Sequence, residues 1–134
     1  MATDPSFAST VRTASALLGS AETNLQVPTQ ASTVLTAGAS GTKIEEIVVQ
    51  ASATSLTATT VAGLVYVFLH DGSTAHLYDV ITISAVTASS TAAAFRASNR
   101  YVNLWIPTGW SVRASQSIAG NANLLKITVH GGDY

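Results

Sequence analysis

The chain has 134 residues, the common size of one domain and enough for a real core without cross-links. It holds no cysteine, which excludes disulfides, thiolate nucleophiles and cysteine-based zinc sites. Only 10% of residues are charged, for a net charge of −1, so the clustered Lys and Arg of a nucleic-acid binder are missing. Their place is taken by 16 Ser, 18 Thr and 22 Ala. The first twenty residues carry Asp4 early and no long apolar run, which is not the form of a signal peptide. Nowhere do 18 apolar residues run together to span a membrane. The expectation is a protein made in a cytoplasm that stays soluble, with no membrane or nucleic-acid partner.

Residues 1–32 have no regular period. Their larger apolar side chains, Phe7, Val11, Leu17, Leu18, Leu25 and Val27, are irregularly spaced. Ala14 to Ala21 offers one or two helical turns, which are marginal alone in water. The segment reads as an extended N-terminal arm ahead of a β-sandwich domain at 33–134. An arm this apolar needs a surface to lie on, which makes Phe7, Val11, Leu17 and Leu18 candidate partner-binding residues.

From Thr33 onward the apolar period is near two and turn residues recur every 8 to 14 positions, the pattern of an all-β sandwich or barrel. The predicted strands are Thr33–Ala37, Lys43–Ala53, Ala62–His70, Ala75–Ser84, Ala92–Asn99, Tyr101–Ile106, Trp110–Ser115 and Leu124–His130. Ile44 is out of phase with Ile47, which places a bulge near Glu45–Glu46. Ala62–His70 is apolar on both faces, as in a central strand. Asp71-Gly72 is the clearest hairpin turn. Eight such strands fit an antiparallel sandwich, with the jelly roll as the favoured wiring and an immunoglobulin-like order still open. The expected core is Ile47, Val49, Val65, Val67, Leu69, Leu77, Ile81, Ile83 and Ile127.

Chemistry is sparse along the chain. Gly38-Ala-Ser-Gly41 lacks the spacing of a nucleophile elbow. Adjacent Glu45 and Glu46 on a regular strand point to opposite faces and cannot share a substrate bond. His70 and His76 flank the hairpin with Asp71 and Asp79 near. Two histidines and a carboxylate can bind a transition metal, but polar residues also gather at a hairpin end because water is there, and that plainer account is preferred. His130 with Asp133 reads as a solvated terminus, and Arg96 with Arg100 as solvated sheet arginines. Trp105, Trp110 and Tyr101 lie close to the Pro107–Gly109 turn. Exposed, they can stack on sugar rings; as packing residues they close the end of the core. No enzyme, cofactor or metal is expected.

Three phrases carry a resemblance: Leu35-Thr-Ala-Gly-Ala-Ser-Gly-Thr-Lys-Ile-Glu-Glu-Ile-Val-Val-Gln-Ala51, Val67-Phe-Leu-His-Asp-Gly-Ser-Thr74 and Leu104-Trp-Ile-Pro-Thr-Gly-Trp-Ser-Val-Arg-Ala-Ser115. In this order, over roughly residues 33 to 131, the chain resembles the jelly-roll cement (decoration) proteins of tailed-phage heads. The resemblance implies a structural virion protein on the outer capsid surface, with the major capsid protein and further copies of itself, as a dimer or trimer, for partners. Partner contacts are then expected at Phe7, Val11, Leu17, Leu18, Trp105 and Trp110. A carbohydrate-binding sandwich using Trp105, Trp110 and Tyr101 is the alternative.

Overall fold

Val, Ile and Thr at alternate positions favour extended backbone with one buried face. In the computed structural model, which describes residues 8–134, this patterning yields β1 (Thr10–Leu17), β2 (Ser32–Thr36), β3 (Thr42–Ala51), β4 (Gly63–His70), β5 (Ala75–Ile83), β6 (Arg96–Ile106), β7 (Ser111–Gln116) and β8 (Leu125–Asp133). They form two four-stranded antiparallel sheets, ordered β1-β8-β3-β6 and β2-β7-β4-β5. The first four strands pair with the last four in reverse order: β1 with β8, β2 with β7, β3 with β6 and β4 with β5. Only the β4–β5 hairpin stays within one sheet; every other connection crosses between the two.

The core lies between the sheets. Ile44, Ile47, Val49, Leu104, Ile106, Ile127 and Val129 come from one side, and Leu35, Val65, Val67, Ile81, Ile83, Val112 and Ala114 from the other. The hairpin turns at Asp71-Gly72 as expected. Gly72 has φ of 99°, a conformation open to glycine and costly for L side chains, and the Asp71 carboxylate accepts the N–H groups of Ser73 and Thr74 at 2.9 and 2.8 Å. The expected bulge is also present: the register shifts between Ile44 and Glu46 in both ladders of β3. Opposite it sits Gly131, where an added Cβ would collide with the Lys43 carbonyl oxygen.

Several boundaries differ from the sequence reading. Residues 10–17 are not an arm but the edge strand β1, paired with β8 from Thr10↔Asp133 to Leu17↔Lys126. The 1–32 and 33–134 division therefore fails as a domain boundary. The strand escapes periodicity analysis because its inward side chains are Arg12, Ala14 and Ala16, while the larger Val11 and Leu17 face outward. The pieces 92–99 and 101–106 are in turn one strand, β6, that begins only at Arg96. Leu77, expected in the core, is 42% exposed. Val67 stands opposite Asp79 but Phe68 opposite Leu77, so Tyr78 is an extra residue that resets the alternation of β5. Leu69 is only half-buried.

The β1–β2 connection is tied to the second sheet. The Glu22 N–H donates to the Gln116 carbonyl at 2.7 Å, and the buried Gln116 amide donates to the Gly19 carbonyl at 2.9 Å. The Glu22 carboxylate accepts the backbone N–H groups of Thr23, Asn24, Thr29 and Gln30, folding residues 22–30 around one side chain. Leu18 is fully buried in the core at the start of this connection. Leu18→Ala is accordingly expected to destabilise the fold by about 2–5 kcal/mol in a denaturant titration, whereas a residue on a free arm would leave the midpoint unchanged. Val67→Asp, which places an unpaired charge between the sheets, is expected to abolish the folded β spectrum altogether.

Candidate functional site

The two ends of the described chain meet in a polar cluster. Asp133, near the end of β8, accepts the Thr42 hydroxyl at 2.6 Å and pairs with the Arg12 guanidinium at 2.7 Å. Arg12 also donates to the Thr36 carbonyl of β2 at 3.2 Å, and the Gly38 N–H donates to Thr42 Oγ1 at 2.9 Å. Edge strand β1 of one sheet is thereby fastened to edge strand β2 of the other. The Thr42 hydroxyl and the Arg12 guanidinium hold the Asp133 carboxyl below the usual carboxylate range. Asp133 is thus a structural ligand rather than part of a solvated terminus.

A second polar seam closes the opposite side. Asp79 on edge strand β5 accepts the Tyr101 hydroxyl at 2.6 Å and the Asn99 amide at 3.0 Å, both from edge strand β6 of the other sheet. Burial alone would raise the Asp79 pKa, but these bonds and the Val80 N–H outweigh it and hold the carboxyl low. Burial, then the hydrogen bond to Asp79, pushes the Tyr101 phenol above its ordinary value. Tyr101 is therefore a latch between sheets and not a free stacking ring.

The other candidates are dispersed. Asp71 bonds His76 at 2.9 Å, and this bond with the Thr74 and Ser73 N–H groups holds its carboxyl low. His70 Nδ1 accepts the Gly72 N–H at 3.1 Å. Asp79 is engaged across the seam instead of joining them, and among the described residues no three His, Asp or Glu side chains are grouped to hold a metal. Trp105 is 50% exposed; its ring lies 4.7 Å from that of Tyr134, with the Lys43 ammonium 5.7 Å above it. Trp110 packs partly against the core and stacks on His76 at 6.3 Å. The two tryptophans thus have neighbours on different sheets and share no platform.

The β3 bulge corrects the reading of Glu45 and Glu46. With one extra residue in β3 against β8, and extra residues in β6 on its other side, both line one shallow depression of about 460 Å³ with Arg100, Tyr101, Val102 and His130. Their charges are matched there, Glu45 by Lys43 at 3.2 Å and Glu46 by Arg100 at 3.4 Å. The low carboxyl pKa values of Asp71, Asp79 and Asp133 are opposite to what a general acid at neutral pH requires.

The outer face of β1 and β8 carries two of the apolar side chains named as partner-binding candidates. Val11 is 85% and Leu17 45% exposed on an edge strand whose outer row of backbone groups has no strand partner among the described residues. Between them Thr13 Oγ1 lies 3.2 Å from His130 Nδ1, and Ser15 Oγ 2.9 Å from Thr128 Oγ1. Leu18, by contrast, is buried and cannot meet a partner. Phe7 lies outside the described residues. Sequence reasoning missed the Arg12–Asp133 and Asp79–Tyr101 fastenings, which span 121 and 22 positions of chain and leave no local signal.

No helix among the described residues is long and apolar enough to cross a membrane. Comparison with known proteins finds no matching family model, no similar curated protein and no similar solved structure.

The carboxylates fix an expected pH dependence. Asp133, Asp79 and Glu22 all have folded-state pKa values below their unfolded ones. The stability they contribute is complete above the unfolded values near pH 4 and is lost as pH falls through the lowered folded values. The melting temperature is expected to be level from neutral pH down to about pH 5 and then to fall; a rise on acidification would contradict these assignments. Tyr101→Phe, which removes the intersheet hydroxyl, is expected to cost about 1 kcal/mol.

Proposed function

We propose that the chain is a structural virion protein, a cement or decoration protein that binds the outer surface of a tailed-phage head and stabilises it through subunit contacts. The observation that carries this reading is the outer face of β1 and β8: a strand edge unpaired among the described residues, two exposed apolar side chains, and between them a hydroxyl–imidazole contact, Thr13 to His130, and a hydroxyl pair, Ser15 with Thr128. Ser and Thr lose less side-chain entropy on burial than Lys or Glu, and an unpaired edge can extend a neighbour's sheet. Few charges keep such contacts insensitive to salt. In a shell the same weak contact is repeated many times and gains by multivalency.

The reversed pairing of the chain's two halves supports the jelly-roll wiring that the resemblance to cement proteins implies. The partners in this reading are the major capsid protein and further copies of the chain, as a dimer or trimer, and no catalytic role is assigned. The dispersal of Trp105, Trp110 and Tyr101 argues against the carbohydrate-binding alternative.

The test is the double variant Val11→Glu with Leu17→Lys, which leaves net charge unchanged. The 134-residue protein is expressed with a tailed-phage major capsid protein, and co-sedimentation with heads is measured. Surface changes of this kind shift stability by roughly 0.5 kcal/mol or less, so the variant is expected to melt like the parent while losing most of its head binding. Equal binding by parent and variant would remove the β1 face from the account. Failure of the parent to sediment with heads would remove the capsid assignment itself.

A further inference from the structure

The outer side of the β2-β7-β4-β5 sheet carries a pocket that the proposed capsid role does not use. It lies between the β1–β2 connection and the β4–β5 hairpin, with a volume of about 160 Å³, space for roughly five waters at about 30 Å³ each. At its base is Arg113, half-buried on β7 and flanked by β2 and β4. Around it stand His70, Ser73, Thr74 and Gln26. Val27 and Pro28 form an apolar rim.

The charge balance of this pocket differs from that around Arg12, Lys43 and Arg100. Arg12, Lys43 and Arg100 each lie against a carboxylate. Arg113 has no ion pair among the described residues; its one side-chain hydrogen bond runs from Nε to the Ser111 hydroxyl at 3.4 Å. Among the described residues the lining contains no carboxylate. The acids of the two flanking loops are already committed: Glu22 to four backbone N–H groups, and Asp71 to Ser73, Thr74 and His76. Because His70 Nδ1 accepts the Gly72 N–H, Nε2 is left as the donor of that ring. The pocket is therefore lined by residues that carry a guanidinium fork, an imidazole and two hydroxyls, with no counter-charge among the described residues.

We propose that this pocket binds a compact oxyanion, a carboxylate or phosphate group, held by the Arg113 guanidinium with His70, Ser73 and Thr74 as further donors. The planar fork of arginine matches both groups in bidentate fashion, and the half-buried position strengthens the pairing relative to open water. The apolar rim suits an anion carried on an aliphatic stem, as in an acidic side chain of a partner. The inference rests on the pocket alone and stands or falls separately from the capsid reading.

The experiment is an NMR titration of the full-length protein with sodium acetate and, separately, with inorganic phosphate, each against sodium chloride at equal ionic strength. The Arg113 Nε–H signal and the backbone amides of residues 26–31 and 70–75 are followed. A saturable shift confined to these signals is expected with at least one of the two oxyanions and not with chloride. Saturation by acetate identifies a carboxylate as the natural group, and saturation by phosphate alone identifies a phosphate. Arg113→Gln is expected to weaken binding about tenfold or more, and Arg96→Gln, on the other sheet, to leave it unchanged. Should Arg113→Gln fail to fold, Arg113→Lys keeps the charge but loses the fork and is still expected to bind several-fold more weakly. Shifts that follow chloride equally, or that persist undiminished in both Arg113 variants, would overturn the proposal.

Discussion

The structure depends on the pairing of the chain's two ends. β1 and β8 lie side by side over their full lengths, and at their junction Asp133 gathers Arg12 and Thr42 while Arg12 reaches on to the Thr36 carbonyl. Hydrogen bonding to an ionised group is stronger than between neutral partners, and here it fastens four strands, from both sheets, at one point. Without β1, one edge of β8 would be stripped of its ladder, and Leu18, buried in the core directly after β1, would lose the strand that leads into it. The Asp79–Tyr101–Asn99 seam does the same on the far side, where β5 and β6 are otherwise open edges. Two sheets that would splay at their margins are thus latched at both, and a chain with few charges places two of its seven acidic residues there.

That closure decides which surfaces remain for partners. The apolar side chains of the N-terminal region divide by alternation: Leu18 turns inward, and Val11 and Leu17 outward. A docking surface built on β1 is consequently rigid and part of the domain, so binding there requires little ordering of the chain, in contrast to a flexible arm that must be ordered on contact. The Glu22-centred connection that follows is equally fixed, and it shapes the pocket above Arg113.

How much of this was legible in the sequence follows from how local each signal is. The all-β class, the Asp71-Gly72 hairpin and the bulge at Glu45–Glu46 were legible because turn chemistry and side-chain phase act over a few residues. The bulge was read from the phase slip between Ile44 and Ile47, yet its consequence was not: it brings Glu45 and Glu46 to one depression. β1 was hidden because Ala14 and Ala16 supply its inward face, and small residues give a weak hydrophobic period. Ala92–Ala94 misled in the opposite sense, extending a strand that begins only at Arg96. Leu77 was misplaced by a bulge at Tyr78 that no phase slip in β5 announces. The fastenings at Asp133 and Asp79, and the isolation of Arg113, are products of the three-dimensional wiring and have no sequence signature.

The claim on which the rest turns is that residues 10–17 are a strand of the sandwich. Amide hydrogen exchange measures this directly. The account predicts that the alternate β1 amides facing β8 exchange as slowly as the interior of β8 itself, limited by global unfolding. Exchange of all residues 10–17 at the rate of an unstructured peptide, with β8 still protected, would show a free arm and contradict it.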